Sequence, residues 1–319
     1  RRHSLLLDKA LKIKYFIFSS LGFRPKIPAS QKTREKVFKD FSERYINMGE
    51  TVNYKRIPKN LKKKYDYFVS GSDQVWHNYS NTKSEINYFM LSFAEPEQRL
   101  TMAPSFGIKR DEIPESLVPF YRKGLNEFGK LSCREEEAAD LIYQLTKREA
   151  VVMLDPTMLI DRKHWYDIAR KPANPMDGKY MLVYFLGGIS NELMHYLRAV
   201  VRDSALKIVD LYEVTNPFYD TTGPEEFLWW IKNACIVATD SFHATVFSIL
   251  YKNPFLVYSR QNGRGMENRI DTLLQKFSLS DRKNVMDINK DILRIDYKSI
   301  DEILEKEIQI AKEFYSDIA

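Results

Sequence analysis

Only two cysteines, Cys133 and Cys235, occur in 319 residues. That excludes a disulfide scaffold and any all-cysteine metal site, and it fits a reducing compartment. No apolar run reaches the roughly 18 residues that a membrane span needs. The nearest, Leu5 to Phe23, is broken by Asp8, Lys9, Lys12 and Lys14. Those charges, and the lack of a clean small-residue cleavage site, argue against a signal peptide. Neither a P-loop nor a G-x-G-x-x-G turn is present, so nucleotide binding by those devices is not supported. Zinc-finger spacing and RNA-binding signatures are also missing, so no nucleic-acid partner is expected. His3, His77, His164 and His195 fall at no metal-ligand spacing, and no metal is expected. There is no internal repeat and no low-complexity segment.

What is present is ordinary for a globular chain: 44% apolar and 29% charged residues. The length suggests two domains. The net charge of +6 is unevenly spread. Residues 1–64 hold 18 Lys+Arg against 5 Asp+Glu, while the remainder holds 31 against 38. A basic lobe on an acidic body favours an anionic partner, and by charge alone nucleic acid, phospholipid headgroups and a pyrophosphate-linked substrate all qualify. A solvated basic face explains the pattern equally well. Lys9 to Phe18 fits an amphipathic helix of the kind that lies on an anionic membrane surface.

Residues 1–64 read as helices and loops. Beyond them, short apolar runs alternate with segments of helical spacing. Strands are expected at 65–70, 99–104, 130–133, 151–154, 180–185, 206–211, 235–239 and 255–258. Helices are expected at 114–128, 135–144, 191–203, 224–233, 241–251 and 299–315. The Pro- and Gly-containing stretch 170–178 reads as a linker. The expected fold is therefore α/β: two Rossmann-like domains in series, residues 1–172 and 173–319, each a parallel sheet covered by helices. Ligands in such sheets bind beyond the carboxyl ends of strands. The turns that matter are Gly71-Ser-Asp, Arg134-Glu, Asp155-Pro-Thr, Gly187-Gly and Asp240-Ser-Phe-His.

Each turn has a chemical and a plain structural reading. Asp240 or Ser241 can cap the helix that follows, whose N–H groups suit an anion. His243 lies in the first turn of that helix, where its ring can exchange a proton near neutral pH. It can equally be a hydrogen-bonded structural histidine. In Ser70-Gly-Ser-Asp73-Gln74-Val-Trp76 the carboxylate can accept a hydroxyl proton and the indole can stack on a sugar. On spacing alone a capping Asp and a core Trp fit better. Arg134, at a strand end, can grip a carboxylate or phosphate bidentately, or pair with Glu135 to Glu137. Cys133 reads as buried filler. Arg260 and Arg264 read as surface residues of a glycine-containing loop, whereas Arg269 opens a helix and is the better anion contact.

Six segments in order carry a resemblance. They are 65–76 (YDYFVSGSDQVW), 103–107 (APSFG), 133–135 (CRE), 154–157 (LDPT), 239–248 (TDSFHATVFS) and 268–270 (NRI). Together they resemble the polysaccharide pyruvyl transferase family, from about Phe38 to Arg282. The resemblance implies a glycosyltransferase-B-like fold with the site between two Rossmann-like domains. It implies transfer of a pyruvyl group from phosphoenolpyruvate to a sugar of a cell-surface polysaccharide or its lipid-linked precursor, as a cyclic ketal. Phosphoenolpyruvate is a substrate, and no cofactor is expected.

Carried over residue by residue, His243 is the general acid or a phosphate contact, and Arg134 holds the donor's anionic groups. Asp73 is the expected acceptor-side base. Asp240, Ser241 and Arg269 are expected on the donor side, and Gln74 and Trp76 on the acceptor side. Some members of the family carry Arg two residues before the motif histidine, where this chain has Ser241, which can still hydrogen-bond an anion, and Arg269 is expected to supply that charge. The family's opening strand and Asn-Tyr-Gly type turn are not found, and about one βα unit of the first domain is expected to be missing. The alternatives are a nucleotide-sugar glycosyltransferase on the same frame and a non-catalytic glycan-binding protein. The expected location is cytoplasmic, at the inner membrane face, with the basic lobe touching lipid.

Overall fold

The computed structural model describes residues 29–50, 52, 56–78, 81–212, 221–260, 267–288 and 293–318. The expected amphipathic helix at 9–18 and the question of an opening βα unit both lie outside them. The first described element is a basic helix, α1 (Ala29–Tyr45). An N-terminal half then carries β1 (Phe68–Asp73), α2 (Lys83–Phe89), β2 (Arg99–Pro104), α3 (Val118–Asn126), β3 (Ser132–Cys133), α4 (Glu136–Thr146) and β4 (Val151–Val152). Two short helices, α5 (Pro156–Leu159) and α6 (Arg162–Ile168), lead to the second half.

The N-terminal strands are all parallel and pair as β1 with β2 and β3 with β4. Hydroxyls bridge the gap between the pairs. The Thr101 and Ser132 hydroxyls lie 3.0 Å apart, the Ser132 amide donates to Thr101 Oγ1 and the Ala103 amide to Ser132 Oγ. Strand β1 runs through Gly71-Ser-Asp rather than ending there, pairing Gly71 with Met102 and Asp73 with Pro104. Gly71 permits this, because a β-carbon would lie 2.2 Å from the Met102 carbonyl oxygen.

The C-terminal half holds β5 (Tyr180–Tyr184), α7 (Asn191–Asp203), β6 (Lys207–Asp210), α8 (Pro224–Asn233), β7 (Ile236–Thr239), α9 (Phe242–Tyr251) and β8 (Phe255–Val257). It ends with α10 (Glu267–Lys276) and α11 (Tyr297–Phe314). The four strands form one parallel sheet in the order β6-β5-β7-β8. The order reverses between β5 and β7, which places a switch point there.

Side chains of this sheet alternate between two cores, as a pleat requires. Leu182, Val209, Val237 and Phe255 face a core shared with α8, α9, α10 and α11. Met181, Val183, Ile236 and Ala238 face a second core with Leu197 and Val201 of α7. Helix α9 is buried nearly all round, the pattern of a central helix.

Apolar packing ties the two halves together in both directions. Leu154 and Met158 join the C-terminal core, with Trp165 and Tyr166 packed against it. In return α11 crosses to the N-terminal half. Ala311, Phe314 and Tyr315 pack with Ala103 and Met153, and the Tyr315 hydroxyl donates to the Thr101 carbonyl at 2.6 Å. The irregular stretch 170–178 is anchored as well, since Arg170 pairs with Glu225 and Glu226 at the start of α8.

Candidate active site

The strands are parallel within each of the three sheets, so residues just beyond strand ends gather on one rim. Asp73 ends β1, Arg134 follows β3, Asp155 follows β4, and Ser241 and His243 follow β7. Arg134 is the hub. Its side chain is 1% exposed, and it donates to Asp155 Oδ2 at 2.8 Å and to Asp73 Oδ1 at 2.9 Å. Arg269, on α10 of the other half, donates to the same Asp73 oxygen at 3.0 Å. Both guanidiniums lie over the Phe242 ring, Arg134 at 4.5 Å and Arg269 at 5.8 Å from its centre.

Asp155 is fixed from four directions. It caps α5 through the Thr157 amide, and it accepts from the Thr157 hydroxyl, from Arg134 and from the Ser72 hydroxyl at 2.5 Å. Burial pushes its carboxyl up, but His243, Arg134 and the Ser72 and Thr157 hydrogen bonds outweigh burial and bring it down to about 2. His243 Nε2 lies 3.9 Å from Asp155 Oδ2. Burial lowers the imidazole's pKa, Arg134 adds to that, and Asp155 and Asp73 oppose it. The ring is therefore mainly neutral at pH 7 in this state.

Asp73 is less available as a base than expected. Burial raises its carboxyl, but the Arg134 hydrogen bond and the charges of Arg134, Arg269 and His243 win and hold it below the usual carboxylate range. Glu135, buried beside Arg134, is shifted the other way: burial raises it against the Ser105 hydroxyl bond and the two arginine charges.

Two expectations are corrected, for Trp76 and Arg260, and the choice between Asp240 and Ser241 as cap is decided. Trp76 is 1% exposed, packed on Phe106 and Phe128 with its N–H donating to Ser70 Oγ, so it has no face for a sugar. Asp240 does not cap α9. Its carboxylate instead accepts from the Leu186 and Gly187 amides at 2.7 and 2.8 Å, which clasps the Gly-Gly turn at the switch point. The cap is Ser241, which accepts from the Ala244 amide. Arg260 is not a surface residue, because its guanidinium reaches the buried Asp240 carboxylate at 3.2 Å. Gln74 is half-buried, with its amide against Gly107. Cys133 is fully buried, and burial pushes its thiol well up. Arg264 lies outside the described residues.

A model of the polysaccharide pyruvyl transferase family matches residues 8–262, most of the chain. The chain belongs to that family. As a pyruvyl transferase it is an enzyme, and its motif residues Asp73, Arg134, Asp155, His243 and Arg269 are the ones the structure brings together. No curated protein matches its sequence. Two UDP-GlcNAc 2-epimerases are similar among solved structures. The Methanocaldococcus jannaschii enzyme, in complex with UDP-GlcNAc and UDP, is 13% identical, with a TM-score of 0.37 over 91% of this chain and 81% of that one. The Neisseria meningitidis enzyme, bound to UDP-GlcNAc, is 10% identical, with a TM-score of 0.39 over 89% and 83%.

Sequence reasoning placed Asp155 at a strand-end turn without giving it a role, and it gave none to Phe242 or Ser72. The Leu-Asp-Pro-Thr run carried a signal for Asp155, since Asp before Pro and Thr is a capping pattern. Nothing in spacing indicates that Phe242 lies beneath two arginines from different halves.

Proposed function

We propose that this transferase moves the pyruvyl group of phosphoenolpyruvate onto two hydroxyls of a sugar in a cell-surface polysaccharide or its lipid-linked precursor, as a cyclic ketal. The supporting observation is the buried Arg134–Arg269 pair with His243 beside it, at the meeting of the two halves. The donor is a carboxylate and a phosphate on one small carbon frame, and two guanidiniums over one ring suit both groups.

The chemistry follows from the donor. A proton added to the enol methylene makes a methyl group and leaves the central carbon electrophilic. One sugar hydroxyl adds there and gives up its proton. Phosphate departs with its bonding electron pair, and the second hydroxyl adds in its place and gives up its proton. The products are the ketal and inorganic phosphate. Of the two protons released, one balances the proton delivered to the methyl group and the other stays with phosphate or solvent. His243 is assigned as the acid: an arriving phosphate favours its charged form, with Asp155 behind it. The reading calls for no cofactor, because the arginines offset the anionic charge of the donor.

The nucleotide-sugar alternative meets an obstacle at the switch point. The backbone N–H pair that would cradle a diphosphate there already holds the Asp240 carboxylate, a fixed negative charge. On the acceptor side, described residues of the basic lobe are partly neutralised, with Arg44 on Glu225 and Lys62 on Glu95. Among the described residues no helix is long and apolar enough to cross a membrane. We propose that the remaining charge of that lobe meets an anionic membrane face from the cytoplasmic side. Release of inorganic phosphate from phosphoenolpyruvate that depends on added glycan acceptor tests the reaction. Turnover of a nucleotide sugar instead would overturn it.

A further inference from the structure

We propose that the Asp73 carboxylate is a placeholder: it sits in the anion seat between Arg134 and Arg269 and swings out when the donor's carboxylate or phosphate takes that seat. The inference rests on the donor reading for the identity of the anion, but the seat itself stands on geometry.

The two carboxylates that meet Arg134 are not equivalent. Asp155 is 2% exposed and held by side chains of three residues and a backbone amide. Asp73 is 60% exposed and offers a single oxygen, Oδ1, to both guanidiniums. Moving Asp155 would strand a charge in the interior, whereas moving Asp73 returns it to water. The arginines are the fixed half of the seat. Their side chains are 1% and 7% exposed, and both stack on Phe242.

The seat is also not filled by Asp73. The Nε–H groups of Arg134 and Arg269 are buried and donate to no hydrogen-bond acceptor of the protein. One carboxylate oxygen saturates few of the donors that two guanidiniums present, five N–H groups each. A phosphate, with three free oxygens, can satisfy more of them, and so gains over the carboxylate it displaces.

Two consequences follow. Apparent donor affinity is reduced by the fraction of time Asp73 is docked. Donor binding also releases Asp73 from both arginines, which restores its basicity beside the newly bound electrophile. The acceptor-side base is then switched on by the donor, so the donor binds before the acceptor.

The test is calorimetric titration of the full chain with phosphoenolpyruvate and, separately, with inorganic phosphate. Wild type is compared with Asp73→Asn. Asn is chosen because Asp73 has φ +61°, a region that Asn tolerates. If Asp73 is docked about nine-tenths of the time, the variant binds both anions roughly tenfold more tightly. Unchanged or weaker affinity for both anions in a folded variant overturns the placeholder. Tighter phosphate binding with no phosphoenolpyruvate binding in either protein supports the seat and overturns the donor reading. If Asp73→Asn does not fold alone, refolding in phosphate decides: rescue supports an emptied anion seat, and no rescue overturns it.

Discussion

At His243 two forces oppose each other. Burial and Arg134 disfavour the imidazolium, while Asp155 favours it. An acid that must carry a proton then loses activity as pH rises. In the free enzyme the fall in kcat/KM is expected below 6.5, the ordinary histidine value. A bound phosphate stabilises the charged ring, so the fall in kcat is expected at higher pH. Coincident inflections, or a rate that rises through this range, would remove His243 from the acid's role. His243→Ala is expected to lower kcat by about 10²–10⁴-fold with an unchanged melting temperature.

Asp155 makes a separate claim on stability. Its carboxyl at about 2 lies below the unfolded value of 3.8, so the folded state gains stability above 3.8 and loses it as pH falls through 2. The gain is on the order of 2 kcal/mol. Asp155→Asn is expected to abolish that acid-range dependence. At neutral pH it should cost about 3–5 kcal/mol by leaving buried Arg134 short of a partner. Urea denaturation of both proteins at pH 7 and between pH 4 and 2 measures both effects.

Among the elements, strand β1 is the one whose end decides the site. Its pairing extends to Asp73 only because Gly71 lets the Met102 carbonyl come close. Gly71→Ala is expected to destabilise the protein by at least about 1–3 kcal/mol, since it adds overpacking and a disfavoured φ of +127°. A melting temperature equal to wild type would show that the β1–β2 approach is not tight. The same glycine limited the sequence reading. Gly71-Ser-Asp has the composition of a turn, and only the partner strand's backbone makes it an extension of β1. Continuous apolar runs at 180–184, 236–239 and 255–257 were legible as buried strands, because both faces of that sheet are covered. Spacing alone favours a core Trp76, as found, but a large aromatic beside a motif Asp also suits a sugar platform. Only burial separates the two.

Across the whole molecule, the site exists because two halves meet, with Asp73, Arg134 and Asp155 from one and Phe242, His243 and Arg269 from the other. Alternation of strands and helices made the α/β class and the rim of strand ends legible. The contacts that join the halves were not, because they depend on tertiary approach. Helix α11 is the clearest case: its spacing shows a helix but not that Tyr315 reaches back to Thr101. Tyr315→Phe is expected to cost about 1 kcal/mol of stability while leaving the site's residues in place. A full loss of activity at unchanged stability would mean that α11 sets the alignment of the halves more finely than packing requires.

The central claim is that Arg134, Arg269 and His243 hold the donor. Calorimetric titration of phosphoenolpyruvate into wild type and Arg134→Lys tests it most directly. Lysine keeps the charge, but its single nitrogen cannot hold Asp155 and at the same time present a planar fork to an anion in the place of Asp73, as the two terminal nitrogens of Arg134 can. The account predicts saturable binding to wild type, weakened about tenfold or more in the variant. Equal affinity in the two proteins, or no binding to wild type, would contradict it.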